Sequence, residues 1–285
     1  MRVTSTVIEL DNLIEKTNLI PLGFVPTMGA LHEGHLALVN IAIKKCPLVV
    51  VSIFVNPTQF NDKNDLKNYP RTIDSDLALL GTVLRQTDIV FTPDEKEIYP
   101  HEDTRKFLFG NLDNVMEALH RPGHFNGVAQ VVSRFFELVK PDIAVFGLKD
   151  FQQLAVIKNL VEQTNNKVKI IPCPIVREKD GLAMSSRNRL LDKEIRNLAP
   201  VIFKTLSAAS VMAGKYDIPE IVSFVVKSIN NIPGFSLEYF EVVDDSELIP
   251  VRKKADIIPD RQYYGCIAVK AGKIRLIDNI NIAFD

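Results

Sequence analysis

Ten residues, Pro26-Thr27-Met28-Gly29-Ala30-Leu31-His32-Glu33-Gly34-His35, constrain this chain more than any other stretch. The apolar residues 22–25 before them read as a short buried strand. Leu36, Leu38, Val39 and Ile43 after them put an apolar stripe on a helix that begins near Gly34. A strand that turns into a helix delivers backbone N–H groups at the carboxyl edge of a sheet, where phosphates are bound. His32 and His35 are three apart, so both imidazoles can face one spot. Gly34 lacks the Cβ that would hold a ligand away. No third Cys, His or carboxylate follows at metal-ligand spacing, so the pair suits the α-phosphate of a nucleotide better than a metal. The plainer reading makes His32 a helix cap and His35 a core residue. It fits either histidine alone better than it fits the pair with its glycines.

At 285 residues the chain has room for two domains. Hydrophobic residues make up 46% and charged residues 24%, which allows a sizeable core and excludes global disorder. A formal net charge of −1 gives no electrostatic footprint for nucleic acid or an anionic membrane. Residues 1–9 contain no apolar core of the kind a secretory signal needs, and no run approaches the length of a membrane span, so a cytoplasmic location is expected. Cys46, Cys173 and Cys266 are odd in number and scattered, and read as reduced core thiols.

Strands and helices alternate through the first 175 residues. Strands are expected at 22–25, 48–55, 88–92, 143–146 and 168–175, with loops at 56–70 and 93–100. Helices are expected at 73–85, across the apolar stripe from Val128 to Val139, and at 150–163 with Asp150 as N-cap. This βαβα order implies an α/β fold, a Rossmann-like, doubly wound parallel sheet. After Val176 the pattern changes. Helices at 193–212 and 219–228 precede strands at 236–243, 264–270 and 273–277, the last two joined by an Ala271-Gly272 turn. The reading is a domain of residues 1–176 and a smaller C-terminal α+β domain of residues 177–285 with an antiparallel sheet.

Three more clusters fall at loops on the same sheet edge. In Asn56-Pro57-Thr58-Gln59-Phe60 a glutamine offers donor and acceptor to a small hydroxy acid, although the segment also reads as an ordinary Asn-Pro turn. In Gly147-Leu148-Lys149-Asp150-Phe151-Gln152-Gln153 the glycine permits close approach, the lysine can reach phosphate, and Gln153 can point into the same cleft, although the segment reads equally as a solvated lysine beside an N-cap aspartate. Ser185, Ser186 and Arg187 can hold polyphosphate, and the turn-prone Lys179-Asp180-Gly181 before them suggests a flap over the site. Arg121-Pro122-Gly123-His124-Phe125 either binds an anion or leads into a helix. Asp74 and Asp76 are candidates to hold magnesium with the nucleotide, although solvated carboxylates are usual in a first helical turn.

The segments PTMGALHEGH, FVNPTQF, RPGHFNGV, GLKDFQQL and VREKDGLAMSSRN occur in this order, and with them the chain resembles the pantoate–β-alanine ligase (pantothenate synthetase) family of the HxGH nucleotidyltransferase superfamily. Residues beyond Asn188 add little to the resemblance. It departs at Leu148, where many members are polar, and at Ser75, where some are acidic. The resemblance implies condensation of (R)-pantoate with β-alanine through an enzyme-bound pantoyl adenylate, with ATP as co-substrate, Mg2+, and AMP and pyrophosphate as products. Carried over, Met28, Gly29, Ala30, Leu31, His32, Glu33, Gly34 and His35 line the ATP site. His32, His35 and Lys149 are its catalytic set, with His35 either a proton donor or an electrostatic stabiliser. Gly147, Leu148, Lys149 and Asp150 hold ribose and phosphate, and the Val176 backbone holds adenine. Met184, Ser185, Ser186 and Arg187 hold the β- and γ-phosphates. Gln59 grips pantoate and β-alanine, Gln153 grips pantoate, and Met28, Phe60 and Val128 are apolar walls. Asp76 is the metal ligand this reading selects, and a homodimer is implied. The alternatives are an adenylyltransferase of the same superfamily that releases its adenylate, and a non-catalytic nucleotide sensor.

Overall fold

Runs of Val, Ile and Leu that are apolar on both faces are stable only where both faces are covered, and the sheet at the centre of this chain is built from them. A computed structural model describes residues 1–60 and 63–284. Six strands, β1 (Arg2–Thr4), β2 (Leu22–Thr27), β3 (Leu48–Ile53), β4 (Ile89–Phe91), β5 (Ile143–Gly147) and β6 (Lys169–Cys173), form one parallel sheet in the order β1-β4-β3-β2-β5-β6. In β3, Leu48, Val49, Val50 and Val51 are all fully buried. One face packs on the helices Val7–Thr17, His124–Val139 and Phe151–Gln163, and the other on Glu33–Lys45 and Ile73–Leu80. The chain leaves β2 towards β3 on one side and leaves β5 towards β6 on the other. The β2/β5 boundary is therefore the topological switch point, where a crevice opens at the strands' carboxyl ends.

The second sheet is antiparallel and consists of β7 (Phe235–Asp244), β8 (Tyr263–Ala271) and β9 (Ile274–Ile282), covered by the helices Val201–Met212 and Ile218–Asn230. Both parts of the expected fold class, the parallel and the antiparallel sheet, are present. Several boundaries differ from expectation. The helix expected at 73–85 ends at Leu80, with the Gly81 N–H closing on Leu77, and the chain continues in turns. The helix expected at 193–212 is two, Lys193–Leu198 and Val201–Met212, because Pro200 lacks the N–H that would continue the first. The helix that carries Val128 starts earlier, at His124, so the Arg121-Pro122-Gly123 segment is its lead-in. The expected loop 56–70 contains a 3-10 turn at Pro57–Gln59 and a helix at Lys63–Asn68, and residues 61 and 62 of it lie outside the described residues. β1 and the helix Val7–Thr17 were not anticipated.

The two sheets are joined by a buried ionic cluster. Glu117 is 7% exposed and receives both terminal nitrogens of Arg275 on β9, at 2.7 and 2.6 Å, together with the Tyr239 hydroxyl of β7 at 2.7 Å. Arg275 also donates to Glu238. Removing the cation from a buried carboxylate leaves an uncompensated charge. Arg275→Ala is therefore expected to lower unfolding stability by about 3 kcal/mol, the lower end for a broken buried pair because Arg275 is partly exposed. Urea titration of both proteins measures this, and an unchanged midpoint would show that Glu117 finds another partner.

Candidate active site

Gly29 and Ala30 have φ of +81° and +50°, two consecutive left-handed residues at the carboxyl end of β2. For alanine that conformation is unfavourable by roughly 1–2 kcal/mol. Asp76 holds the turn in place. Its Oδ2 accepts the Ala30 N–H at 3.0 Å and its Oδ1 the Leu31 N–H at 2.8 Å, while the Thr72 hydroxyl donates to Oδ1 at 3.2 Å. Both oxygens of this carboxylate, 2% exposed, are committed to the protein. The structure gives Asp76, the expected metal ligand, a bracing role in the motif. Among the described residues no group of three or more His, Cys, Asp or Glu could hold a metal ion.

The turn delivers His32 to the N-cap of the helix Glu33–Lys45. The His32 Nδ1 accepts the Gly34 N–H at 3.1 Å, and the His35 Nδ1 accepts the His32 N–H at 3.2 Å. A ring nitrogen that accepts carries no proton, so both imidazoles bear theirs on Nε2. The rings lie 4.1 Å apart between centroids. Burial, with Lys149 and Arg189 adding to it, pushes the His32 pKa down to about 4. Burial, and then His32 itself, pushes His35 down to about 3. At neutral pH the motif therefore presents two neutral N–H donors and no imidazolium. Gly34, in the cavity wall, has a second reason the sequence did not reveal: a Cβ there would lie 2.8 Å from the His32 ring, so the glycine makes room for the capping histidine.

Both histidines line a cavity of about 270 Å³ at the switch point. It gathers Met28, Gly34, Gln59, Phe60, Val128, Gly147, Lys149, Asp150, Gln153, Val176, Met184, Ser185, Ser186 and Arg187 from the anticipated set. Gly29, Ala30, Leu31, Glu33 and Leu148 are not in its wall. Ala30 and Leu31 are buried, Glu33 is exposed, and the Leu148 N–H and C=O are taken by Cys173 and Asn279. Asp150 stands at the N-cap of the helix Phe151–Gln163 but makes no capping bond, and its carboxylate lies 3.6 Å from the Lys149 Nζ. Gln152 is the scaffold member of its pair. It bonds the Glu117 N–H and the Leu112 and Val115 carbonyls, leaving Gln153 to the cavity.

Gln59 is set by close packing. A Cβ on Gly127 would overlap the Thr58 carbonyl, so only glycine lets the turn Pro57–Gln59 sit against the helix His124–Val139. The Asn56 amide then donates to the Gly127 carbonyl at 3.0 Å and to the Gln59 Oε1 at 3.3 Å, and the Gln59 Nε2 meets the Met28 sulfur.

Residues 177–188 are more firmly tied than a flap. Arg177 and Ala183 pair as an antiparallel bridge, and the Met184 N–H donates to the Val176 carbonyl at 2.9 Å. The Arg177 guanidinium grips Asp278 of β9 at 2.6 and 3.0 Å and lies 3.7 Å over the Phe203 ring. The Asn188 amide closes the loop on Glu178 and Ala183. Sequence reasoning missed Asp278 and Asn279, which line the cavity from the second sheet. The available signal was a buried Asp-Asn pair that follows the largely apolar stretch from Ile274 to Ile277. It also passed over Glu117, Tyr239 and Cys266, which complete the wall.

A family model for pantoate-beta-alanine ligase matches residues 2–281. The pantothenate synthetase of Porphyromonas gingivalis is 46% identical over 98% of this chain and 99% of its own length. The solved pantothenate synthetase of Thermus thermophilus superposes with a TM-score of 0.89 at 40% identity, covering 98% of this chain and 99% of that one. The pantoate-beta-alanine ligase of Francisella tularensis, solved in complex with beta-gamma ATP and beta-alanine, superposes with a TM-score of 0.79 at 32% identity over 99% of this chain and 97% of that one. Fold and sequence agree with these relatives along nearly the whole chain, which belongs to the pantoate-beta-alanine ligase family.

Proposed function

We infer that this chain joins pantoate to β-alanine at the expense of ATP, passing through an enzyme-bound pantoyl adenylate and releasing AMP and pyrophosphate. The observation that carries the reading is the meeting, in one cavity, of two Nε2–H donors and Lys149 with the amides of Gln59 and Gln153. The first group suits phosphates and the second a small hydroxy acid. In this reading Gly147, Lys149, Asp150 and Val176 take the nucleoside side of ATP, and Met184, Ser185, Ser186 and Arg187 its outer phosphates. Gln59 and Gln153 orient the pantoate carboxylate towards the α-phosphorus. Arg121, which lines the cavity and has no carboxylate within ion-pair distance among the described residues, is available to a second carboxylate.

The depressed pKa values favour one of the two roles open for His35. A neutral imidazole holds its proton tightly, so His35 acts as a fixed hydrogen-bond donor to charge building on phosphate oxygens and not as a proton donor. Among the described residues no cluster of carboxylates, histidines or cysteines gathers a metal site, and the Asp76 oxygens accept backbone N–H groups. In this reading Mg2+ is carried by the phosphates of the nucleotide substrate. The homodimer belongs to the same reading and is tested by sedimentation. No helix among the described residues is long and apolar enough to cross a membrane, and a cytoplasmic location is kept as part of the proposal.

Exchange of labelled pyrophosphate into ATP is the test. It is expected to require pantoate and to proceed without β-alanine, with AMP released only when the amine is added. Exchange with a phosphorylated acceptor but none with pantoate would favour the adenylyltransferase alternative, and ATP binding without any turnover would favour the sensor.

His35→Ala is expected to slow adenylation by about 10²–10³, the loss of one preorganised donor. Loss of its Nδ1 acceptor at the helix start adds a stability cost of about 1 kcal/mol. Normal exchange in this variant would remove His35 from the phosphate site.

The acid dependence follows from the same two rings. Their folded pKa values, about 4 and about 3, lie below the unfolded 6.5, so the unfolded state binds more protons between these limits. Stability of the ligand-free protein is expected to fall as pH drops below about 6.5 and to stop falling on this account near pH 3. Melting curves of wild type and the His32→Asn/His35→Asn double variant measure it. The wild type should lose the greater share, and parallel pH profiles would show that these rings are not held neutral.

A further inference from the structure

Three imidazoles surround the cavity, and the third has the opposite tautomer. The His124 Nδ1 lies 2.8 Å from the Gln59 carbonyl oxygen. A carbonyl only accepts, so Nδ1 donates and Nε2 is left with a lone pair. His124 is 5% exposed, lines the cavity, and makes no second side-chain hydrogen bond among the described residues, so its acceptor nitrogen is open to whatever binds there. The ring is fixed in place twice. It begins the helix His124–Val139, and that helix is locked at Gly127 against the turn that presents Gln59.

The charges that face it come from three elements: Arg121 just before its helix, Glu117 on the helix Glu117–His120, and Asp150 just beyond β5. Burial, followed by Arg121, lowers its pKa to about 4, and Glu117 is largely neutralised by Arg275. The ring is therefore neutral at pH 7. An acceptor-only nitrogen has nothing to offer a phosphate or a carboxylate. It requires a ligand bearing N–H or O–H, and it stands against the residue proposed to hold β-alanine.

We propose that His124 is the proton acceptor of the second half-reaction, taking a proton from the amine of β-alanine as that amine attacks the acyl adenylate. The proposal rests on the ligase reading above. The β-alanine ammonium first loses one proton to water. The neutral nitrogen then bonds to the pantoyl carbonyl carbon, and the N–H that this bond makes acidic passes its proton to the His124 Nε2. Collapse of the tetrahedral species breaks the bond between carbonyl carbon and phosphate oxygen, and the electron pair leaves with AMP. The imidazolium returns its proton to water. A β-alanine carboxylate bound beside Arg121 would offset the electrostatic part of the depression, while the larger part, from burial, remains.

The test separates the two half-reactions in His124→Asn, because an asparagine amide can still donate to the Gln59 carbonyl and lacks only the distal nitrogen. Pantoate-dependent pyrophosphate exchange is expected to stay within a few-fold of wild type. Single-turnover transfer from preformed pantoyl adenylate to β-alanine should fall by about 10² or more, the usual contribution of a positioned base. Hydroxylamine, whose nitrogen becomes far more acidic once bonded to the carbonyl, should be acylated at close to the wild-type rate. Unchanged transfer to β-alanine would overturn the proposal. So would an equal loss in exchange, in β-alanine transfer and in hydroxylamine transfer, which would make His124 a support for Gln59. If the asparagine variant does not melt cooperatively, His124→Gln is put to the same comparison. Absence of pantoate-dependent exchange in the wild type would remove the ligase reading itself and is a separate result.

Discussion

The Asp76 carboxylate determines whether this molecule has a nucleotide site at all. A buried carboxylate is costly without partners, and a left-handed alanine is strained; here each offsets the other. Two backbone N–H groups that the turn would leave without a partner are bonded to Asp76, and in return the turn keeps a conformation it would not hold alone. The consequences run down the chain. The direction in which Leu31 leaves the turn fixes the φ and ψ of His32 at the N-cap, and the N-cap fixes which nitrogen of His32 and of His35 carries a proton. A carboxylate on a distant helix thus sets the tautomer of two rings in the cavity wall.

The second sheet does for the outer rim what Asp76 does for the inner one. Asp278 receives Arg177 next to the adenine-side residue Val176, and the adjacent Asn279 donates to the carbonyls of Leu148 and Lys149 at 2.9 and 3.1 Å. Two consecutive residues of β9 therefore brace both loops assigned to the nucleotide. This changes how closure of the site is pictured. The segment expected as a flap is tied at Arg177 by a bridge, a bidentate ion pair and a cation–π contact, which couples it to the second sheet.

The fold class was readable because its signals are local. A continuous apolar run such as 48–51 specifies a strand covered on both faces, and the order of strands and helices specifies a parallel sheet. Site residues borne on motifs, among them His32, His35, Lys149 and Arg187, were readable for the same reason, and the structure brings them into one cavity. The failures are long-range. Asp76 was read as a metal ligand because a carboxylate near a phosphate site suggests one. The two backbone N–H groups it holds have no sequence signature. Asp278, Asn279 and Glu117 escaped because their importance arises only when β9 and the helix Glu117–His120 approach the parallel sheet. Part of the reason for Gly34 escaped as well, since spacing alone cannot show that a side chain two residues earlier folds back over it.

The distribution of charge around the cavity follows one pattern. The carboxylates in its wall are mostly consumed: Glu117 by Arg275 and Asp278 by Arg177, which leaves Asp150 beside Lys149. The cations Arg121, Lys149 and Arg187 are in the wall as well, so the field inside is positive and suits substrates that bring phosphates and carboxylates. Against that background the three histidines are worth more neutral than charged. An imidazolium would add attraction for ATP but would bind pyrophosphate and AMP as tightly as the transition state, slowing their release. In the proposed reaction, neutral rings add direction without adding charge, two offering a proton to phosphate and one a lone pair to the amine. Burial keeps them neutral, and the hydrogen bonds at Nδ1 of each ring fix their tautomers.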